Sequence, residues 1–224
     1  MHRNYRAAKS RPPDQSSDAD LAIRARTYEM KMMMSAMDPQ THDRVYRSLK
    51  AEYRAGLLEP GVRLDLQVLA DRHRASKTPL REAANRLLGE RLFERHPDGG
   101  FMVAVLSDEQ LGYLTGLNIL IMRGIISALV PGILEEIASR ALESAHPDAV
   151  SGTANAAAQV FLALAEATGN PEAVAILDSI NDRLLYPRIA EARGSDRSRV
   201  TFAKLLKHWA AGNADFPLDH SWIR

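Results

Sequence analysis

Lys77, Thr78 and Arg81 lie close together in the stretch ASKTPLREAANRLLGE. They offer two cations and a hydroxyl within adjacent helical turns, a set that can donate to phosphate oxygens and to acceptors on base edges. An arginine fork matches the two acceptors of guanine, so Arg81 is the residue expected to read a base. Ser76 and Thr78 suit phosphate contact or helix capping. Ser76 is the expected N-cap, and Thr78 is a rival that would put Pro79 at the first helical position. Arg86, one turn on, is expected in helix packing or an ion pair. Catalysis finds no parts: there is no cysteine, no phosphate-binding glycine loop, no HExxH and no Gly-x-Ser-x-Gly. The chain is read as a binding protein and not an enzyme, with no cofactor.

The elements that must position these residues run from Gly61 to Val105. Leu66, Val68, Leu69, Leu80, Ala83, Ala84, Leu87 and Leu88 carry helical apolar spacing on two helices split by a tight turn, after a short strand. LFERH and FMVAV then flank Pro97-Asp98-Gly99-Gly100, a hairpin signal. Helix, turn, helix and wing make a winged helix–turn–helix, whose second helix enters a DNA major groove. A helix over Pro39–Leu58 precedes it. Val45, Leu49 and Tyr53 form its apolar stripe, with Arg44, Arg47, Lys50 and Arg54 interspersed, and Gly56 and Glu59-Pro60-Gly61 close it. Residues 1–20 read as a disordered arm, and Leu21–Met37 as a short helix with clustered methionines.

Beyond Ser107 every signal is helical. Ser107 and Gln110 make a capping box for a helix to about Val130, where Pro131-Gly132 breaks it. Further helices are expected over about 133–144, Ala149–Thr168, Glu172–Ala192 with a bend at Pro187, and about 196–211. The fold class is mainly α: an N-terminal winged helix–turn–helix with a small β-wing, plus a C-terminal all-α helical bundle. The expected divisions are an arm over 1–38, a DNA-binding domain over 39–105 and an effector-binding and dimerisation domain over 106–224.

Charge follows this division. Residues 1–105 hold 19 Lys/Arg against 14 Asp/Glu, and residues 106–224 hold 10 against 14. A basic first part and an acidic second part suit a DNA-binding module joined to a regulatory one. Absent cysteine fits a reducing, cytoplasmic compartment. No apolar run reaches the roughly 18 to 20 residues of a membrane span, Leu117–Ile126 coming closest before Asn118 and Arg123 interrupt it. No membrane partner is expected.

The stretch Pro60-Gly61, Leu64, Leu69-Ala70, Ser76-Lys77-Thr78-Pro79-Leu80-Arg81-Glu82-Ala83, Arg86-Leu87 and Gly99-Gly100 resembles the GntR family of bacterial transcriptional regulators, over about residues 40–105. The helical part is more loosely similar to the ligand-binding domain of the FadR-type branch, through helix number, size and FLALAEATGNPEA at 161–173. The resemblance implies a homodimer on a short inverted repeat of double-stranded DNA, with repression the family tendency. It adds Gln67 as a backbone contact. The wing glycines Gly99 and Gly100 would let the backbone approach DNA or serve the turn alone. Members of the branch often hold a divalent metal, but the corresponding positions fall on Ala157, Phe161 and near Phe202, which cannot ligate a cation. No metal is expected.

Polar residues on the apolar helices are the expected effector contacts: Asn118, Arg123, Asn155, Gln159, Asn181, Arg183, Tyr186 and Arg188. Arg123, set in NILIMRGIISALV, is expected to be buried and to anchor a carboxylate such as an organic acid. A structural salt bridge or dimer contact would serve it equally. The function expected is a DNA-binding regulator modulated by a small molecule. The alternatives are a constitutive DNA-binding dimer that has lost effector binding, and a ligand- or protein-binding module with secondary DNA contact.

Overall fold

The structure is a computed structural model that describes Arg26 and residues 39–144, 150–194 and 197–214. The N-terminal arm and the short helix expected over Leu21–Met37 lie outside the described residues, Arg26 apart. The chain is mainly α, with one small sheet among the described residues.

Helix α1 (Pro39–Arg54) is shorter than the span to Leu58 that the sequence suggests. Gly56 takes a positive φ of 70°, and the chain turns there. A Cβ at Gly56 would also sit 3.0 Å from Ile189 Cδ1, so the turn is held against the far part of the chain. Val45, Leu49 and Tyr53, one α1 stripe, are buried. They meet α2 (Leu66–Arg72) and α3 (Lys77–Gly89), whose Leu69, Ala70, Leu80, Ala83, Ala84 and Leu87 fill the same core.

Strands β1 (Phe93–Arg95) and β2 (Phe101–Val103) pair antiparallel, with Phe93 opposite Val103 and Arg95 opposite Phe101. The strand expected after Gly61 is reduced to two bridges onto β2, Pro60 to Val103 and Arg63 to Met102. Pro60 has no amide hydrogen to extend a ladder, and the chain leaves the sheet at Asp65 to cap α2, accepting from the Gln67 and Val68 amides.

The rest is a bundle of α4 (Asp108–Ala128), α5 (Ile133–Ser144), α6 (Val150–Ala167), α7 (Pro171–Gly194) and α8 (Arg197–Ala210). The capping box opens α4 as expected: the Gln110 amide donates to Ser107 Oγ and the Ser107 amide to Gln110 Oε1. Leu164, Leu177, Leu205 and Trp209 centre the bundle core. The winged helix and the bundle are not packed separately. Ala154, Leu185, Tyr186 and Ile189 belong to the apolar cluster that holds α1 to α3 and the wing. Helix α7 is therefore shared by both bodies.

The expectation about apolar length needs correction. α4, at 21 residues, is long and apolar enough to cross a membrane by length and composition, and only 28% of its most apolar window is buried. Leu114, Asn118, Met122 and Ile125 face inward, which accounts for one side of the helix.

Candidate nucleic-acid interface

Helix α3 buries Leu80, Ala83, Ala84 and Leu87 and leaves Lys77, Thr78, Arg81 and Glu82 exposed. That division follows from the i, i+3, i+4, i+7 spacing of the apolar residues. Among the described residues, Lys77 and Arg81 have no ion pair. Both lie in the first turns of the helix, the part that reaches base edges when such a helix enters a groove. Ser76 is the N-cap residue, but its hydroxyl makes no capping bond and is buried without a hydrogen-bond partner. The capping role read from sequence is therefore corrected. Thr78 lies inside the helix rather than at its cap, and Pro79 is third in it.

The surroundings of α3 fix its orientation. Arg86 Nη1 pairs with Asp43 at 2.7 Å and its guanidinium stacks 3.7 Å from the Tyr46 ring, so it is a packing residue as expected. Arg95 on β1 donates to Asn85 at 2.9 Å and lies 4.4 Å over Phe101, tying wing to helix. Behind the turn, Glu52 and His73 form a buried pair at 2.9 Å, Arg72 also pairs with Glu52, and Arg44 donates to the His73 and Arg74 carbonyls. Gln67 is exposed near the start of α2, its amide group donating to Asp71 Oδ1. Gly99 and Gly100 form the wing turn at φ 83° and 89°. A Cβ at Gly99 would meet nothing within 4 Å, so conformation and not space selects glycine there. One at Gly100 would approach Arg63 Nε at 3.3 Å, which places a further cation beside the wing.

The bundle residues divide between two faces of α7. Tyr186 accepts from the Leu58 amide at 3.2 Å and packs edge-on against Tyr53, 4.9 Å between ring centres. Burial raises the Tyr186 phenol to about 12. Arg183 is half-buried, its Nε without a partner; burial and then Arg91 push it below the ordinary guanidinium range. Both residues thus face the winged helix and not the bundle interior. On the same face the buried Asp182 carboxylate accepts from Arg54 Nε at 2.6 Å and pairs with Lys50 Nζ at 3.0 Å, while Asp178 meets Arg54 at 2.7 Å. Tyr53 Oη donates to the Asp182 carbonyl. Burial works against the Lys50 charge, but Glu90 and Asp182 outweigh it and hold the ammonium above the ordinary lysine range. Lys50 and Arg54, spaced among the apolar residues of α1, are thus the ion-pair partners of α7. The available signal was Asp178 and Asp182, carboxylates at i, i+4 on a largely apolar helix.

A second face of α7, about a third of the way round the helix from Asp182 at 3.6 residues per turn, carries Asn181 and Arg188. Arg188 is buried, has no salt bridge among the described residues, and donates from Nη1 to Asn181 Oδ1 at 3.0 Å. Its Nη2 is buried without a hydrogen-bond partner. Burial, opposed by the charge of Glu191, pushes the group down to about 10, so it remains a cation at neutral pH. Asn181 donates to the Ala158 carbonyl, and Asn118 Oδ1 and Trp209 Nε1 are also buried without partners. Arg123 is exposed on α4, contrary to the burial expected from its apolar neighbours. The buried arginine of this chain is Arg188. Asn155 is half-buried and Gln159 exposed.

The positions that a metal would need do not fit one. Phe161 and Phe202 pack edge to face at 6.4 Å, Trp209 lies 6.5 Å from Phe161, and the Arg188 guanidinium stands 5.6 Å over the Phe161 ring. Aromatic carbon offers no ligand, and a fixed buried cation repels another.

Residues 41–103 match the bacterial regulatory proteins of the gntR family. Among solved structures, the chain is similar to one described as a GntR transcriptional regulator from Rhodococcus sp. RHA1, with TM-score 0.66, 20% identity and coverage of 78% of this chain and 88% of that one. McbR/YncC of E. coli gives TM-score 0.55 and 21% identity, with the same coverage. At these identities the likeness concerns the fold. No curated protein matches the chain. The winged helix–turn–helix over residues 41–103 is thus the part of the chain that matches the gntR family of bacterial regulatory proteins.

Proposed function

We propose that the protein is a dimeric, cytoplasmic repressor that binds a short inverted repeat through α3 and the wing, and that an anionic small molecule in the bundle alters this binding. The division would be a DNA-binding part over 39–105 and an effector-binding and dimerisation part over 106–224. The observation that carries the DNA reading is the exposed Lys77, Thr78 and Arg81 set at the start of a helix whose other face is anchored. Arg81 would make the base contact, Lys77 and Thr78 the adjacent phosphate contacts, and Ser76, Gln67, Gly99 and Gly100 the flanking approach.

Arg188 supports the effector reading better than Arg123 does. A buried guanidinium with an unused donor gains most from a carboxylate, and Asn181 on the same helix and Asn118 on α4 add polar atoms. The signal to DNA would run through α7, since its other face holds α1 through Asp182 and Tyr186. The effector can act only by binding two arrangements unequally. A constitutive binder is the second reading, favoured by the aromatic filling at Phe161, Phe202 and Trp209.

The test is an operator selected from random duplex DNA and titrated by fluorescence anisotropy. Arg81→Ala is expected to weaken specific binding by about 1 to 3 kcal/mol and to relax preference at one base position. Unchanged affinity and preference would remove α3 as the reading helix.

A further inference from the structure

Among the described residues, the outer face of α4 has no partner. Its helical positions 109, 112, 113, 116, 120 and 123 form one stripe, opposite the buried Leu114, Asn118 and Met122. Tyr113 is 71% exposed and Leu120 66%. Cβ atoms placed at Gly112 and Gly116 would meet nothing within 4 Å. The stripe is apolar in its middle and charged at both ends, acidic at Glu109 and basic at Arg123.

We infer that this face is the contact between two copies of the chain, with the two α4 helices packed antiparallel about a two-fold axis at Gly116. The inference rests on the dimeric reading above and specifies its surface. Charge sets the direction. Glu109 and Arg123 lie equally far from Gly116, about 10 Å along the axis at 1.5 Å per residue. Antiparallel pairing places Glu109 of each copy against Arg123 of the other, and parallel pairing would oppose like charges. Among the described residues, Arg123 has no ion pair, and Glu109 accepts only from its own neighbour, Tyr113, at 2.8 Å.

Shape agrees with charge. In this register Leu120 of one copy enters the hole bounded by Glu109, Gly112, Tyr113 and Gly116 of the other, a knob into a hole. The missing side chain at Gly112 makes room for it, and Gly116 lets the helices approach closely at the axis. The interface is isologous, so each contact occurs twice. Arg123, exposed in the single chain, acquires a role that its apolar neighbours suggested without its being buried within one copy.

The test is light-scattering mass and sedimentation of the full-length chain, without DNA. The wild type is expected to be a dimer. Glu109→Arg and Arg123→Glu should each raise the dimer dissociation constant by about tenfold or more, because each opposes like charges twice, and the double exchange should restore it. Gly116→Leu should give a folded monomer, since the site is open in the single chain. Gly116→Cys, in a chain without cysteine, should crosslink to a dimer on oxidation. A wild type that is monomeric throughout would overturn the dimeric reading itself. A dimer unaffected by all four changes would overturn this face alone. Sedimentation of the wild type, but not of Leu120→Asp, with anionic phospholipid vesicles would assign the face to a lipid surface instead.

Discussion

Asp182 is the carboxylate on which the contact between winged helix and bundle turns, and Asp182→Asn measures it. Its side chain is only 6% exposed and faces Arg54 Nε at 2.6 Å, Arg54 Nη2 at 2.8 Å and Lys50 Nζ at 3.0 Å. Asparagine keeps one acceptor oxygen but turns an amide toward a cation and removes the compensating charge. A charge-assisted hydrogen bond contributes roughly 1.5 to 3 kcal/mol, and breaking a buried pair costs about 3 to 5. Two facts pull the figure down: Arg54 is 44% exposed and keeps Asp178, and Lys50 keeps Glu90 at 2.8 Å. A loss of about 2 kcal/mol is expected, or roughly 4 to 8 °C in Tm for a chain of this size. Asp178→Asn is the control. That carboxylate is 39% exposed with one bond to Arg54, so its loss should stay below about 1 kcal/mol and fade in salt. Differential scanning calorimetry of both variants, at low and high salt, reads the difference. Equal losses for the two, or an Asp182→Asn effect that salt abolishes, would refute the argument from burial.

Replacing the buried cation should have the opposite sign. Burial pushes the Arg188 guanidinium well below its ordinary range, down to about 10, an unfavourable burial of roughly 3 kcal/mol at about 1.36 kcal/mol per pH unit. For a base lowered in the folded state, that penalty is full below about pH 10 and fades only as pH rises toward the ordinary guanidinium range. Arg188→Met should therefore hold or raise stability at neutral pH by up to about 3 kcal/mol, and Tm with it, while any thermal shift produced by an organic acid should vanish. Thermal denaturation with a carboxylate panel checks both halves, and a lowered Tm would show that the charge is compensated in the resting protein. Ser76→Ala is expected to cost less than about 0.5 kcal/mol, because the hydroxyl makes no cap bond. A loss near 1 kcal/mol, typical of a working N-cap, would show that the bond forms in solution.

The winged helix was legible because each of its signals is local. The spacing of Leu80, Ala83, Ala84 and Leu87 orients α3, and Gly99-Gly100 marks the wing turn. Arg86 reads as a packing residue because it lies one turn beyond Arg81, where Asp43 and Tyr46 of α1 meet it. The bundle's boundaries were legible for the same reason, through the Ser107 and Gln110 box and the glycine at 169. Burial inside the bundle was not. Arg123 has apolar neighbours in sequence, yet it lies on the face of α4 where Tyr113 and Leu120 are also exposed. Local hydropathy cannot say which side of such a helix a neighbour covers.

Helix α7 shows the limit most clearly. A helix at a surface has one apolar face, and its polar residues announce solvent. α7 is covered on both sides, by α1 and the wing on one and by the bundle on the other, so polar residues occur at each contact. Asp182 and Asn181 are adjacent in sequence and serve different bodies: one accepts from Arg54, the other from Arg188. Their separation needs the helix pitch together with knowledge of what lies on either side, and a single sequence supplies only the first. The same adjacency is what makes α7 suited to couple the two sites. On the proposed reading, an anion at Arg188 would act on the helix whose adjacent residues hold α1, and α1 packs on the helix that presents Arg81. If effector and DNA are coupled, Asp182→Asn should weaken that coupling while leaving the Arg188 site's own ligand affinity in place.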